Sequence, residues 1–143
     1  MPITIDKLMS LKAYAACRKQ FQPGLIAHRR RRTVMLGESM RVQFEDEMTL
    51  RYQIQEMLRA ERIAEHGAIQ EQIDTYAHLL PNGRHWKATL LIECPDPARR
   101  RRELPLLDRA VRHLYVEVAG QPRVYAHANE DIGDADPRPS GVH

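Results

Sequence analysis

Residues 45–65 read EDEMTLRYQIQEMLRAERIAE, and this stretch decides the fold. It begins with three acidic residues, whose negative charge stabilises the first turn of a helix. Apolar residues then recur at the spacing of one helix face. They are Leu50, Ile54, Met57, Leu58 and Ala64. The pattern predicts an amphipathic helix from Glu45 to Glu65, with Gly67 as its C-terminal stop.

The residues before this stretch predict another helix and a hairpin. Thr4 to Phe21 carries apolar residues at helical spacing, and Pro23 with Gly24 predicts where that helix is broken. Thr33–Leu36 and Met40–Phe44 are short β-type runs separated by turn residues. Two such runs joined by a short turn indicate an antiparallel hairpin.

The residues after it predict a helix, a strand and a third helix. Ala68 to Leu80 has helical spacing, and turn residues close it at positions 81–83. Alternating apolar residues predict a strand from Trp86 to Glu93. Asp96-Pro97 is typical of the start of a helix, and Pro105 predicts a kink or an end to that helix.

The last part of the chain predicts a second hairpin and a tail. Alternation from Leu114 to Val118 resumes at Val124 after a turn containing Gly120 and Pro122. Residues 129–143 are polar and rich in glycine and proline, so we expect a mobile tail.

Together these elements predict an α+β fold. We expect a mostly antiparallel sheet built from two hairpins and a middle strand, packed with two to four helices. Residues 1–128 are predicted to form a single domain.

Composition places the chain among globular proteins. Its 143 residues are 43% hydrophobic and 29% charged, which excludes collagen-like and wholly disordered classes. No stretch approaches the ~20 apolar residues of a membrane-spanning helix, and the first residues lack the pattern of a secretory signal. Cys17 and Cys94 lie far apart, and we expect reduced thiols. We therefore predict a cytoplasmic protein.

Glu61 is a candidate buried carboxylate. At 100° per residue it falls within the arc of Leu50, Ile54 and Met57, so an ionisable group interrupts the apolar stripe. A buried carboxylate needs a partner. It could serve as a general base or a metal ligand, in an enzyme or a metal-binding protein. It could equally form a structural ion pair, or lie in solvent if the stripe ends at Met57.

The opposite face of the same helix is a candidate partner-binding face. Its polar residues are Tyr52, Gln55, Glu56, Arg59 and Arg62. This face could bind a partner or an anion. A solvated surface with ion pairs between residues of the helix explains it equally well.

Metal and nucleic-acid binding receive little support from motifs. Asp74 and His78 stand at i, i+4, but no third ligand can be named, so we predict neither a metal nor a cofactor. The runs Arg29–Arg32 and Arg99–Arg102 could contact phosphates as a nucleic-acid-binding module. Phe and Trp do not interleave with these runs, so we consider nucleic acid an unlikely partner.

The run Arg51 to Ile63 resembles a motif of an uncharacterised bacterial family, and four other segments extend the resemblance over nearly the whole chain. They are Ala13-Tyr14, Lys87–Glu93, Val116–Gly120 and Ala128–Asp131. The family is a domain of unknown function often encoded beside rubrerythrin and an iron–sulfur oxidoreductase related to heterodisulfide reductase. The resemblance assigns no catalytic residue.

The resemblance implies a role near oxidative-stress electron transfer. Our leading hypothesis is a non-catalytic accessory protein that binds a rubrerythrin-like or iron–sulfur partner through the polar helix face. Members of the family continue past the position of His143, so the chain looks truncated relative to them. An exposed sheet edge could then pair with a second copy of the chain.

Overall fold

The computed structural model describes residues 2–128, and the tail predicted for 129–143 lies outside them. Within these residues a short 3₁₀ helix, Ile5–Lys7, is followed in chain order by four helices and five strands. They are α1 (Leu11–Arg31), β1 (Thr33–Leu36), β2 (Met40–Phe44), α2 (Glu47–Glu61), α3 (His66–Ala77), β3 (Ala88–Ile92), α4 (Pro97–Val111), β4 (Tyr115–Val116) and β5 (Val124–Tyr125). The protein is α+β, as the sequence predicts.

The strands in the described part of the chain form two separate antiparallel sheets. The first has the order β1-β2-β3, so β2 is central, and the second contains β4 and β5. The bounds of β1 and β2 confirm the first predicted hairpin, with Gly37 at a φ of 69° in its turn. The second predicted hairpin is also present, and it pairs Tyr115 with Tyr125 and Val116 with Val124.

The described residues pack as two compact units, 2–35 with 42–89 and 36–41 with 90–128. The core of the first unit centres on α2, whose Leu50, Ile54 and Leu58 are at most 2% exposed. Ile3 and Ile73 complete this buried cluster. Three residues of the apolar stripe read from the sequence are therefore the centre of the core, whereas Met57 is half-buried and Ala64 is exposed.

The two ends of α2 explain its length. At its start, Asp46 accepts a hydrogen bond from the Thr49 amide while the Thr49 hydroxyl accepts one from the Asp46 amide, each at 2.9 Å. At its end, Arg62 adopts a φ of 54°, and the Ile63 amide donates to the Leu58 carbonyl at 2.9 Å. The predicted stop at Gly67 was wrong, because the left-handed turn at Arg62 already ends the helix.

Both interior prolines lie within helices. Pro23 is inside α1 and Pro105 is inside α4, so the break predicted at Pro23 and the helix end predicted at Pro105 were wrong. The kink given as the alternative at Pro105 stays a prediction. A proline removes one backbone hydrogen bond. In α1 the residues on both sides of it remain held by tertiary packing, since Tyr14 and Leu25 are both buried. In α4 the predicted cap is present, with the Asp96 side chain accepting from the Ala98 amide at 3.0 Å.

None of the described helices is both long and apolar enough to cross a membrane. Cys17 and Cys94 are free thiols, as the sequence predicts.

Truncation of the central core residue tests this packing. Ile54 is 0% exposed, so we expect Ile54→Ala to lower the free energy of unfolding by about 2–5 kcal/mol, because it removes buried methyl groups and leaves a cavity. Urea titration followed by circular dichroism measures this. Met48→Ala on the same helix is the control, because Met48 is 46% exposed and should lose about 0.5 kcal/mol or less. Equal losses in the two variants would contradict the core assignment.

Candidate functional site in a basic recess

A recess of about 350 Å³ lies within the first unit. The end of α1, the end of β2 and the loop before β3 line it. The lining residues are Arg31, Arg32, Phe44, Glu45, Pro81, His85, Trp86 and Lys87. Three permanent cations and one carboxylate give this lining a formal charge of +2 without His85, and two of the cations, Arg31 and Lys87, make no ion pair within residues 2–128. The recess therefore attracts anions.

Backbone and side-chain bonds hold the end of α1 against the end of β2. The Phe44 amide donates to the Arg32 carbonyl at 2.8 Å, and Arg32 Nε donates to the Phe44 carbonyl at 3.0 Å. Arg32 Nε also lies 3.4 Å from a carboxylate oxygen of Asp46. Arg32 thus joins the end of α1 to the end of β2 and to Asp46. Arg31, by contrast, is exposed and makes no ion pair with any described residue.

The loop before β3 presents His85, Trp86 and Lys87. The Asn82 side-chain oxygen accepts from the amides of Arg84 and His85, each at 3.0 Å, which fixes the turn. The Glu45 amide donates to the Lys87 carbonyl at 2.8 Å, so the loop enters the sheet beside β2. The recess is therefore assembled by the turn chemistry that the sequence indicates at positions 81–83.

Trp86 is the most unusual side chain of the recess. The sequence predicts it in a strand with one buried face, but β3 begins at Ala88 and Trp86 is 69% exposed. Its ring meets Phe44 edge to face, with centroids 5.8 Å apart and an interplanar angle of 86°. Phe44 thus supports a large apolar ring that remains mostly open to solvent.

Glu45 is the buried carboxylate of the recess. The residue is 5% exposed, and its carboxylate accepts hydrogen bonds from Gln43 at 3.0 Å, Thr89 at 2.9 Å and the Thr49 hydroxyl. Arg29 in turn donates to the Gln43 side-chain oxygen at 2.8 Å. This network satisfies the charge with neutral donors, and it connects β2 with α1, α2 and β3.

Glu61, by contrast, is exposed. The structure bears out the alternative in which Glu61 lies in solvent and contradicts its burial, because α2 ends at this residue and its last fully buried position is Leu58. After the turn, Ile63 rather than position 61 packs against the core. The proposal of a buried base or ligand at Glu61 therefore has no support from the structure.

Part of the predicted partner-binding face is an internal contact. Gln55 is 5% exposed, and its side chain bonds both the amide and the carbonyl of Met9, at 2.6 and 3.3 Å. Tyr52 is half-buried, and the guanidinium carbon of Arg29 lies over its ring, 5.8 Å from the ring centroid of Tyr52. The prediction of Gln55 as a contact residue was wrong, since the N-terminal segment covers it.

Glu56 is the centre of a polar cluster between α1 and α2. Its carboxylate accepts from the Tyr14 hydroxyl at 2.9 Å, from Arg18 at 2.7 Å and from Arg59 at 3.2 Å. Burial opposes the charged form, but these hydrogen bonds and one from Tyr52 outweigh it and lower the pKa of Glu56 to about 2. Burial and the bond to Glu56 raise the pKa of Tyr14.

Arg59 and Arg62 are the two residues of the predicted face that are exposed. The pair between Arg59 and Glu56 is an i, i+3 contact of the kind expected for a solvated helix surface. Arg62 makes no ion pair within residues 2–128. The exposed part of the face is therefore confined to the C-terminal end of α2.

No group of three or more His, Cys, Asp or Glu residues that could hold a metal ion occurs in the described part of the chain. Asp74, one of the paired candidates, accepts a hydrogen bond from Gln70 at 2.9 Å and is exposed, as is His78.

The two arginine runs are partly used by the fold. In the first, Arg29 and Arg32 bond β2 residues, which leaves Arg30 and Arg31 exposed. In the second, Arg99 pairs with Glu103 at 2.8 Å and Glu38 at 2.9 Å, while Arg100 donates to the Cys94 carbonyl at 2.9 Å. The sequence does not show that Trp86 and Arg31 line the same recess, because the two residues are far apart along the chain.

Comparison with known proteins shows the family to which the chain belongs. A family model described as "Protein of unknown function (DUF3501)" matches residues 2–143, so the chain belongs to this family, which agrees with the resemblance seen in the sequence. The chain is also similar to a protein of unknown function from Burkholderia pseudomallei K96243, whose crystal structure was determined at 1.90 Å resolution. The two are 40% identical with a TM-score of 0.90, over all of this chain and 75% of the other. No curated protein matches.

The pH dependence of stability tests the Glu56 cluster. A carboxyl whose pKa is lower in the folded state stabilises the fold above its unfolded pKa of about 4.5, and this contribution is lost as the pH falls towards about 2. Relative to Glu56→Gln, the wild type should lose roughly 2 kcal/mol of unfolding free energy between pH 6 and pH 3.

Glu61→Gln is the matched control, because it removes an exposed carboxylate from the same helix. Urea titrations at each pH give the difference. If the two variants show the same dependence on pH, Glu56 does not hold α1 and α2 together through its charge.

Proposed function

We propose that this protein is a non-catalytic binding protein that takes an anionic group in the basic recess. The observation that supports this most directly is the pair of cations Arg31 and Lys87, which line the recess and make no ion pair with any residue from 2 to 128. Arg and Lys side chains are the usual ligands of phosphate and carboxylate groups. Because the recess is open to solvent, binding should weaken as salt rises.

The state of Glu45 favours binding over catalysis. General acid–base catalysis needs a group that can reach the substrate and exchange a proton with it. Glu45 is 5% exposed, and three donors already occupy its carboxylate. A structural role for this carboxylate, which holds β2 and β3 in place under the recess, explains these contacts.

Charge reversal tests the recess as an anion site. Arg31→Glu and Lys87→Glu should each weaken pyrophosphate binding about tenfold or more, which corresponds to about 1.4 kcal/mol. Isothermal titration calorimetry at low salt measures the dissociation constant. Arg30→Glu is the matched control, because Arg30 is exposed on the same turn of α1 but does not line the recess.

The control should bind pyrophosphate more tightly than either recess variant. Equal weakening in all three variants would indicate a general charge effect, and an absence of pyrophosphate binding by the wild type at millimolar concentration would refute the anion site.

A second candidate function is the accessory role in an oxidative-stress redox system. The resemblance to a family encoded beside rubrerythrin and iron–sulfur oxidoreductase genes supports it, and we propose such a protein as the partner. The exposed guanidiniums of Arg59 and Arg62 at the end of α2 are the part of the predicted face that remains open for contact. Interface contacts are enriched in arginine, which favours these two residues.

Co-purification tests this second function. Arg62→Glu should abolish association with a rubrerythrin-like or iron–sulfur protein, because it reverses one of the two exposed charges of the proposed contact. Arg31→Glu should retain the partner while its anion binding is weakened, so the two variants separate the two surfaces. Association that survives both Arg59→Glu and Arg62→Glu would show that this end of α2 is not the contact.

A further inference from the structure

Trp86 gives the recess a second property besides its charge. A tryptophan that is 69% exposed presents a large planar apolar surface to solvent, and Phe44 supports it from one side. Exposed aromatic rings beside cations are typical stacking platforms for nucleobases, because every base has a π face. The ring would therefore contact a planar group of a ligand whose anionic group is bound by the neighbouring cations.

From this combination we infer that the recess binds a nucleoside phosphate, with the base against Trp86 and the phosphate between Arg31 and Lys87. The inference deepens the proposed anion-binding function and rests on it. Lys87 follows Trp86 directly in the chain, and Arg31 lines the same recess from α1. Stacking and charge are thus available to one ligand at the same time.

The size of the recess favours a single nucleotide. Pockets for small molecules measure roughly 300–1,000 Å³, and the recess at about 350 Å³ lies near the lower limit. A single-stranded nucleic acid presents the same chemistry of base and phosphate, so the test includes it as a separate arm. The free nucleoside monophosphate is the ligand that we assign.

The chain provides its own probe, because Trp86 is its one tryptophan. Titration with AMP and GMP should quench the intrinsic fluorescence of Trp86, since a stacked base contacts the indole. Calorimetry of the same protein should give nucleotide binding at least tenfold tighter than binding of inorganic phosphate. Adenosine, which lacks the phosphate, should bind more weakly than AMP.

Variants assign the effect to the ring. Trp86→Ala should weaken AMP binding about tenfold, Trp86→Phe should retain most of it because phenylalanine also stacks, and phosphate binding should stay the same in both. Tyr115→Ala is the matched control, because Tyr115 is a 44% exposed aromatic residue outside the recess. It should bind AMP as the wild type does.

Each outcome is decisive for one claim. If phosphate and AMP bind with equal affinity, or if Trp86→Ala binds AMP as the wild type does, the nucleotide inference is overturned and anion binding stands. Binding of no phosphate compound at all would overturn the proposed function itself. A single-stranded oligonucleotide that binds more than a hundredfold tighter than AMP would assign the recess to nucleic acid and overturn the assignment to free nucleotides.

Discussion

The carboxylate of Asp46 joins the elements on which the recess depends. It accepts the Thr49 amide at the start of α2, lies 2.7 Å from His28 Nε2 and lies 3.4 Å from Arg32 Nε, so it links the end of α1 to the start of α2. Burial opposes its charge, but the bonds to Thr49 and His28 and the nearby Arg32 lower its pKa. Asp46 thus holds the last turn of α1 through His28 and Arg32. Because Arg31 lies in this turn, it is placed beside the end of β2.

A second carboxylate joins the same two helices further along. Glu56 on α2 binds Tyr14 and Arg18 on α1, so α1 is held near both its ends. Charge-assisted bonds of this kind set the register of two helices, while the apolar face of α2 supplies most of the burial. The part of α1 that lines the recess is thus held by contacts to α2 at the two carboxylates and to β2 at its end.

Much of the fold could be predicted because it depends on local patterns. The apolar period of α2, the turn residues between β1 and β2, and the cap at Asp96 each act within a few residues. The break predicted at Pro23 was wrong because the local rule competes there with tertiary packing on both sides of the proline, which the sequence does not display. The end of α2 was predicted too late, at Gly67, because a non-glycine residue, Arg62, adopts the left-handed conformation that ends the helix.

The candidate site was harder to predict because it is assembled from distant segments. The carboxylate that the fold buries is Glu45, directly after β2, rather than Glu61 on α2. Its donors come from positions 43, 49 and 89, so no spacing rule could find them together. Gln55 and Glu56 looked like a free polar face because the covering segment, residues 9–18, is far away in sequence.

A crystal structure of the protein with AMP tests the proposed nucleotide site most directly. The phosphate should lie about 3 Å from the side-chain nitrogens of Arg31 and Lys87, with the base against Trp86. AMP bound outside the recess, or a phosphate there with its base turned away from Trp86, would contradict it.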